Sequence, residues 1–551
     1  MSRARILLVG GAGVFGSRLA LGLAATVDAD VLIAGRDLAK AQKAARDTGS
    51  AGALSLDRAS AKSADIAALN VRLVIDAAGP FQGADLSFAR ACVGAGSDYI
   101  DLADARDFVA AFPSLDAEAR RKGARAITGA SSTPAITHAA LDELTAGWTR
   151  IDSVHAGISA GNRAPRGRSV IEAILAWVGA PVRVYMAGRW QEKPGWSGTT
   201  RRRVADTGRR RFALAETPDL DLIPQRFATR EDAVFTAGLE LGVLHGGTSL
   251  IGRLRRLGII RDPRPMAGML QRMAMLVHTF GSDRGCMFVE AIGRDANDLP
   301  TRAEWTLAAP AVEGPFTPTL PALALARKLI AGEPVEPGAR ACVSILSLAD
   351  LQGDFARHGL KTEIVRERLA GPFEMALGAD FVRLPMAVQA SHSQGPVMRF
   401  CGTARVEGAT PLGWLVARVF GFPRKADAAK VAVKKTIVSP GRETWERTIG
   451  GSRFRSDIRL DGPGRVTERF GPFIFTLALG ADETRHVMRI AGWRLGWLPL
   501  PGFLAPRSIA IESVSEHGLF TFDVPIAAPL LGRLTRYKGE LRNMNIEEHA
   551  T

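Results

Sequence analysis

The chain is poor in the residues that build metal sites and disulfide frameworks, and it has no long apolar run. Its four cysteines lie far apart and form no C-x-x-C pair, so neither a disulfide framework nor a cysteine-bound zinc is expected, and the reducing cytoplasm is the expected compartment. The nine histidines include no H-E-x-x-H motif, so no metal is expected. No stretch of about eighteen uncharged apolar residues is present, so no membrane-spanning helix is expected.

Acidic residues are fewer than basic ones: 71 Lys and Arg stand against 56 Asp and Glu, for a net charge of +15 at pH 7. Arginine runs at 201–203 and 209–211 are the kind of patch that binds nucleic acid or an anionic membrane. No recognised nucleic-acid module accompanies them. We therefore interpret these runs as solvated loops and do not expect nucleic acid as a partner.

The N-terminal stretch ILLVGGAGVFG, residues 6–16, has the form of a dinucleotide-binding turn. Its four apolar residues predict a strand buried on both faces. Its glycines fit both G-x-x-G-x-x-G and G-x-G-x-x-G, which let the chain turn tightly, let the backbone approach a pyrophosphate and let the helix pack on the strand. The predicted helix from Val14 to about Ala25 would direct its N-terminus at the phosphates.

The second predicted strand, 29–34, ends in Gly35-Arg36-Asp37. An NAD-binding turn usually has a carboxylate at this point for the ribose 2′-hydroxyl, whereas an arginine suits the 2′-phosphate of NADP. Arg36 therefore predicts NADP, and Asp37 keeps NAD as the alternative. The predicted cofactor-binding residues are Gly10, Gly11, Ala12, Gly13, Val14, Phe15, Gly16, Arg36, Asp57, Ala78, Gly79 and Pro80.

Strand and helix signals alternate through the first quarter of the chain. Further strands are predicted near 53–57, 71–77, 98–102 and 124–129, with helices at 38–48, 61–69, 84–95 and 108–122. This alternation is typical of a doubly wound parallel sheet. We assign residues 1–135 to a Rossmann-type α/β domain that binds NADP.

Three later segments resemble the saccharopine dehydrogenase-like family of nicotinamide-dependent oxidoreductases. VIDAAGPF (74–81) is similar to the family's fourth strand and Gly-Pro-Phe turn, and ACVGAGSDYIDLADA (91–105) to its Cys…Gly…Tyr-x-Asp segment. TPTLPALALARKLIAGE (317–333) is similar to the helix that returns to the nucleotide domain. The resemblance covers roughly residues 3–365 and implies an NAD(P)-dependent oxidoreductase acting on a small-molecule substrate.

One segment departs from the lysine-pathway members of that family, which carry Leu-Asp-Pro-Gly followed two residues later by His. Here the stretch reads STPAITH (132–138), with Thr133 in place of the acid and Ala135 in place of the glycine. Saccharopine is therefore not the expected substrate.

Hydride transfer needs a side chain that gives or takes a proton beside the cofactor. Candidates near the carboxyl ends of the predicted strands, where such sheets bind ligands, are Tyr99, Asp101, Asp104 and His138. Tyr99 also fits a core position, Asp101 could cap the following helix, and His138 could be structural. We name Tyr99, Asp101 and His138 as candidate catalytic residues, with their roles left open.

The pattern after Arg150 mixes strands and amphipathic helices, which predicts an α+β middle domain at 136–370 that covers the cofactor cleft and supplies the substrate pocket. Its helix near 317–332 is the one that, by the resemblance, returns to the Rossmann domain. The apolar, arginine-bearing helical stretch 238–279 could be a lid, a homodimer face or a membrane-facing surface.

From 374 to 551 strand signals dominate, which predicts a mainly antiparallel β domain formed by a curved sheet or partial barrel. The segments LPLPGFLAPRSIAIES and FDVPIAAPLLGRLTRYKGEL resemble an uncharacterised domain found fused behind saccharopine dehydrogenase-like modules. Its interior could hold a small molecule or an acyl chain, or it could simply be packed. The predicted elements are one helix at 411–420 and strands at 397–406, 430–438, 443–449, 453–460, 465–470, 473–479, 486–492, 508–514 and 519–524.

The uncharged stretch LGWLPLPGFLAP, Leu495–Pro506, lies between Arg494 and Arg507. Its prolines predict a loop rather than a central strand. Such a loop could contact an anionic membrane peripherally, or it could close the β domain. The leading hypothesis is an NADP-dependent oxidoreductase, and the alternative is a non-catalytic dinucleotide-binding protein whose β domain binds a lipid or a partner.

Overall fold

A computed structural model describes residues 3–164, 168–393 and 395–544. The chain forms two compact units. The first comprises residues 1–146, 153–291 and 303–365, and the second comprises residues 147–152, 292–302 and 366–551.

Alternating strands and helices begin the first unit. The strands are β1 (Ala4–Val9), β2 (Ala29–Gly35), β3 (Gly52–Ser55), β4 (Leu73–Asp76), β5 (Asp98–Asp101) and β6 (Arg125–Thr128). The helices are α1 (Val14–Thr26), α2 (Leu38–Thr48), α3 (Ser63–Ala68), α4 (Ser87–Gly94), α5 (Arg106–Ala111), α6 (Asp116–Lys122) and α7 (Thr137–Leu144). The strands are parallel in the order β6-β5-β4-β1-β2-β3, which confirms the predicted doubly wound fold.

The prediction of a single helix at 108–122 is wrong. The chain there forms α5, a 3-10 turn at Phe112–Leu115, and then α6. Pro113 lies at the break, because proline has no N–H to donate and its ring clashes with the preceding helical turn. None of the helices in the described part of the chain is long and apolar enough to cross a membrane.

The middle of the chain adds further strands, all but one of which form a second sheet. Its strands are β7 (Arg150–Ala160), β8 (Pro181–Met186), β9 (Arg189–Pro194), β10 (Thr200–Arg203), β11 (Arg209–Leu214), β12 (Asp232–Leu239), β13 (Gly285–Arg294), β14 (Pro300–Ala309), β15 (Gly338–Ala341) and β16 (Lys361–Arg368). Its helices are α8 (Arg168–Trp177), α9 (Asp219–Phe227), α10 (Gly242–Arg256), α11 (Ala267–Leu276), α12 (Leu320–Ala331) and α13 (Leu348–Arg357).

Strand β15 joins the first sheet beside β6, and the other strands form a mixed sheet in the order β10-β11-β12-β7-β13-β14-β16, with β8 and β9 beside β12. Helix α12 packs directly on α1, since a Cβ placed at Gly22 would lie 2.8 Å from the side chain of Leu323. The chain thus returns to the parallel sheet after building the mixed sheet.

The last third of the chain is an antiparallel sheet that closes on itself. Its helices are α14 (Pro372–Leu377), α15 (Met386–Ser393) and α16 (Trp414–Val419). Its strands are β17 (Val397–Glu407), β18 (Ala426–Ser439), β19 (Arg442–Ile449), β20 (Ser452–Gly462), β21 (Arg465–Phe470), β22 (Phe473–Ala481), β23 (Arg485–Leu495), β24 (Leu498–Pro499), β25 (Ile509–Val514), β26 (Phe520–Ala528) and β27 (Gly532–Asn543). The order is β22-β21-β20-β19-β18-β17-β27-β26-β25-β23, and pairing of β22 with β23 completes a ten-stranded barrel.

The antiparallel β-rich prediction is confirmed, but four elements were missed, namely the two-residue strand β24, strand β27 and helices α14 and α15. Strand β27 carries many charges and two glycines, which weakened its alternating pattern. One of those glycines, Gly539, is required by the fold, since a Cβ there would lie 2.1 Å from the carbonyl oxygen of Thr403 on the neighbouring strand. Helices α14 and α15 are short, so they give little periodic signal.

Candidate functional site

The turn between β1 and α1 uses glycines because its backbone leaves no room for side chains. Gly10 has φ +80°, and a Cβ there would lie 2.8 Å from the backbone of Ala78. A Cβ at Gly16 would lie 2.2 Å from the carbonyl oxygen of Gly10. The Gly13 N–H donates to that same oxygen at 2.9 Å. This is the tight turn that allows a backbone to approach a pyrophosphate.

Helix α1 begins without a side-chain cap. Its N-cap residue, Gly13, is exposed, and the first turn contains no acidic residue. Ala12 is also exposed, Val14 and Phe15 are half-buried, and Gly11 is buried. Uncapped amides at the positive end of a helix are the groups that bind an anionic phosphate, so the turn and the helix fit a dinucleotide.

Two charged side chains follow β2, and the structure gives them different partners. Asp37 caps α2: its carboxylate accepts the Lys40 N–H at 3.1 Å and lies 3.3 Å from the Lys40 ammonium. These hydrogen bonds lower the pKa of Asp37. Arg36 is exposed and forms no hydrogen bond or ion pair with the described residues. Its guanidinium is therefore available to an anionic ligand.

A buried ion pair that sequence analysis missed holds the turn after β4. One oxygen of Asp76 accepts the Ala78 N–H at 2.9 Å, and the other lies 2.8 Å from the Arg58 guanidinium. Arg58 also donates to the carbonyl oxygen of Pro80 at 3.3 Å. Burial raises the pKa of Asp76, and the charge of Arg58 opposes that rise. The only feature of the sequence that could have indicated this ion pair was the position of Arg58 next to Asp57, a predicted cofactor-binding residue.

The sheet order brings most of the predicted cofactor residues to one edge. Because β1 lies between β2 and β4, the segments that follow these three strands meet at the carboxyl edge, where the strand order reverses. Residues 10–16, Arg36 and residues 78–80 all follow these strands. Asp57 follows β3 at the end of the sheet, is exposed, and accepts the Ala59 N–H at 3.1 Å.

Tyr99, the first catalytic candidate, is buried inside β5. Its ring packs near those of Phe88 and Phe112, with centroids 6.3 and 6.0 Å away. Its hydroxyl interacts with Asp76, and burial raises the pKa of Tyr99 well above its usual value. These contacts are those of a core tyrosine, and a catalytic role for it stays a prediction.

Asp101, the second candidate, ties the end of β5 to the end of β6. One of its oxygens accepts the Thr128 hydroxyl at 2.8 Å, the Gly129 N–H at 2.8 Å and the Ala103 N–H at 2.9 Å. The side chain is fully buried, and burial raises the pKa of Asp101 to about 7.

His138, the third candidate, is fully buried in α7. Its Nδ1 lies 3.1 Å from the Arg226 guanidinium, and its Nε2 lies 3.6 Å from Asp219. Its ring is 5.7 Å from that of Phe227. His138 thus connects α7 to α9, and none of the three candidates is exposed to solvent.

A cavity of about 360 Å³ lies beyond the carboxyl ends of β4 and β5. The Gln82 amide donates to Asp104 at 3.1 Å on its wall. Arg106 lies 3.2 Å from Glu216 and donates to Asp221 at 2.6 Å, and the side chains of Arg106 and Glu216 are buried. Burial raises the pKa of Glu216 to about 7. Sequence analysis missed Glu216, because it is more than a hundred residues from Arg106.

A buried group of potential ligands also escaped sequence analysis. His392 Nε2 and His486 Nδ1 lie 2.7 and 3.0 Å from the same oxygen of Glu512, inside the second unit. The histidines are 120 and 26 residues from Glu512 along the chain, so no spacing motif could reveal them. The shared oxygen accepts from both rings, while His392 Nδ1 and His486 Nε2 are buried without a hydrogen-bond partner among the described residues.

The parallel sheet and the glycine turn define a domain of the dinucleotide-binding class, and a family model agrees. Residues 6–131 match the family model of the saccharopine dehydrogenase NADP binding domain. Residues 384–541 match the model of a domain of unknown function, DUF4166. The predicted resemblance is therefore confirmed at both ends of the chain. No curated protein matches the chain in sequence.

Solved structures that resemble the chain at low identity include two enzymes. Apo saccharopine dehydrogenase (L-Glu forming) from Saccharomyces cerevisiae is 14% identical, with a TM-score of 0.49 over 66% of this chain and 100% of that one. The homospermidine synthase from Legionella pneumophila in complex with NAD is 12% identical, with a TM-score of 0.45 over 67% of this chain and 92% of that one.

Proposed function

We propose that the chain is an NADP(H)-dependent oxidoreductase whose cofactor preference is set by Arg36. The observation that carries the proposal is the difference between Arg36 and its neighbour. Asp37, the carboxylate that would accept a ribose hydroxyl from NAD, caps α2, while Arg36 has no partner among the described residues. A free guanidinium favours a phosphate, with which it forms charge-assisted hydrogen bonds.

The test compares the affinities of NADPH and NADH for the full chain by fluorescence titration. A charge-assisted contact is worth about 1.5–3 kcal/mol, so NADPH should bind at least tenfold more tightly. Arg36→Ala should remove most of that preference and leave NADH binding nearly unchanged. Lys40→Ala is the matched control, since it removes a nearby exposed cation that is already paired with Asp37. Equal native affinities for the two cofactors would contradict the proposal.

We further propose that the cavity beside Gln82 and Asp104 receives a polar substrate and that Glu216 carries a proton there. Glu216 supports this role because it reaches the cavity wall and because its raised pKa lets it exist in both protonation states near neutral pH. The test is NADPH oxidation with a panel of imines, ketones and enoyl compounds. Glu216→Gln should lower turnover and remove the limb of the pH profile near 7, while NADPH affinity is kept.

A non-catalytic role is the second candidate. The burial of Tyr99, Asp101 and His138 favours it, because each already has structural partners. It predicts NADPH binding without oxidation by any compound in the panel.

A further inference from the structure

The barrel of the second unit encloses a cavity of about 450 Å³. Ligand pockets commonly measure roughly 300–1,000 Å³, so this space is large enough to hold a molecule. Its wall is dominated by aromatic and aliphatic side chains. The aromatic members are Phe373, Phe420, Phe422, Trp445, Phe470, Phe473, Phe475, Trp493, Phe520, Phe522 and Tyr537.

Helices α14 and α15 cover one end of the barrel. Phe373 of α14 is fully buried and forms part of the cavity wall, and the carbonyl oxygen of Ala376 accepts the Gly464 N–H at 2.7 Å. His392 of α15 is buried against Glu512 of β25. Since successive strands alternate in direction, the loops at 408–425, 496–508 and 529–531 all lie at the opposite end.

This opposite end is where the cavity reaches the surface. Leu504 contributes to the cavity wall and is 43% exposed. The rings of Phe420, Phe473 and Trp493 lie in succession on the wall there, with centroids 5.5 and 6.1 Å apart. An apolar molecule could therefore pass from the surface into the barrel along an apolar path. We call this the open end of the barrel.

The charged side chains that reach the cavity already have protein partners. The Lys435 ammonium donates to the carbonyl oxygen of Ser391 at 2.8 Å and lies 4.0 Å from the Trp445 ring. Arg447 donates to Glu468 at 3.0 Å. Glu512 accepts from two histidines. The groups left to contact a ligand are therefore mainly apolar, which suits a hydrocarbon chain rather than an ion.

Large apolar side chains surround the open end and face solvent. Trp497 is 87% exposed, Phe503 77% and Leu530 91%. Leu412, just before α16, and Trp414 and Leu415, at the start of α16, are also exposed. They belong to three loops that are distant in sequence, and an exposed apolar patch assembled in this way marks a binding surface.

Basic residues outnumber acidic ones around this patch, where Glu407 and Asp427 stand only at the border and Glu407 is paired with Arg533 at 2.6 Å. The segments 408–426, 485–511 and 528–539 contain no Asp or Glu. Arg424, Lys425, Arg494 and Arg507 are exposed, and none of them forms an ion pair with a described residue. The turns at the covered end instead carry Asp482, Glu483 and Glu516. Apolar side chains edged by free cations are complementary to an anionic lipid surface.

We propose that the open end of the barrel docks on an anionic lipid bilayer and that the cavity takes up a hydrocarbon chain of a lipid from it. The residues that carry this proposal all belong to the second unit. Its failure would leave the proposed cofactor function intact, and the reverse also holds.

Docking is tested with the full chain and sedimented vesicles of phosphatidylcholine, with and without phosphatidylserine. The native chain should sediment with the phosphatidylserine vesicles, and high salt should weaken binding because it screens the cations. The double variant Trp497→Asp, Phe503→Asp should lower the bound fraction at least about tenfold. The matched control Val382→Asp, Met386→Asp changes two equally exposed apolar residues at the covered end and should bind like the native chain.

Uptake is tested by titrating the full chain with cis-parinaric acid, a fluorescent fatty acid. The native chain should bind about one probe molecule. Ala510→Trp fills the cavity and should weaken binding at least about tenfold, while Ala432→Trp, at an exposed site of β18, should not. Met488→Trp makes a smaller change at the wall if Ala510→Trp fails to fold. The proposal is overturned if the native chain ignores both vesicles and probe, or if each control variant loses binding as its partner does.

Discussion

The two cavities of this chain are similar in size and opposite in chemistry. The wall of the cavity in the first unit, about 360 Å³, includes Gln82, Asp104, Arg106 and Glu216, and the charges of Arg106 and Glu216 are paired across different elements. The cavity of the second unit, about 450 Å³, is walled by aromatic rings, and its charged groups are paired with the protein. A charged wall can bind a polar substrate and transfer a proton to or from it. An apolar wall can only exclude water and enclose an apolar ligand. This difference is the physical basis for proposing chemistry in the first unit and ligand binding in the second.

The largest expected effect is a loss of folded structure in the first unit that leaves the second unit folded. In Gly16→Val a side chain would be forced against the carbonyl oxygen of Gly10, 2.2 Å from the new Cβ, so the turn cannot keep its form. Hydrogen exchange should show lost protection in β1 to β4 and native protection in β17 to β27. Gly353→Val is the control, because nothing lies within 4 Å of that exposed glycine of α13. Equal loss of protection in both units would break the comparison.

The second effect tests whether the ion pairs of Arg106 in the cavity wall stabilise the fold. Arg106→Met leaves Glu216 and Asp221 without their shared cation, and breaking a buried pair costs about 3–5 kcal/mol. The free energy of unfolding, measured by denaturant titration, should fall by about that amount. Arg120→Met, which removes an exposed arginine paired with Asp116, should change it far less. If the two variants are equally stable, the buried network does not hold the cavity together.

The third effect separates cofactor binding from lipid binding. In Gly13→Val the new Cβ would lie 3.2 Å from the carbonyl oxygen of Gly10, a contact that a small shift relieves. The branched side chain would still occupy the pyrophosphate path. NADPH affinity should fall at least about tenfold, or about 1.4 kcal/mol, with cis-parinaric acid binding unchanged. A variant that binds NADPH normally would mean that Gly13 serves only the turn.

The smallest effect is a difference in pH response. Burial raises the pKa of Asp101 and Glu216 to about 7 from ordinary values of 3.8 and 4.5. The folded first unit therefore binds more protons than the unfolded chain in this window, and its stability should rise as pH falls from 7 towards 5. In the second unit Glu443, with its pKa raised to about 7, acts in the same direction, but His392, with its pKa lowered to about 4, acts in the opposite one.

The measurement is hydrogen exchange of peptides from each unit at pH 7 and pH 5, corrected for intrinsic exchange rates. Protection should increase more in the first unit than in the second, and Glu216→Gln should reduce that increase. A larger increase in the second unit would show that the carboxyls of the first are not the groups that titrate.

Local patterns of the sequence determined much of this protein. The run 6–16 specified a buried strand, a tight turn and a helix, because glycine spacing and apolar periodicity act on neighbouring residues. Strand β21 has the predicted bounds, 465–470, because alternation and flanking turns mark it without any partner strand. The position of Arg36 at the end of the second strand could be predicted because that strand is recognisable, while its role in binding NADP stays a prediction.

Only the tertiary structure decided what distant residues do together. Pairing of β22 with β23 closed the barrel. The sequence pattern of one strand does not indicate which other strand will pair with its edge. Glu216 gained its raised pKa from burial near Arg106, and Glu512 gained two histidines from positions 120 and 26 residues away. Trp497 and Phe503 face solvent, while Leu504 of the same loop lines the cavity. These outcomes depend on burial and on long-range contacts, which exist only once the chain has folded, whereas propensity and periodicity act between neighbours.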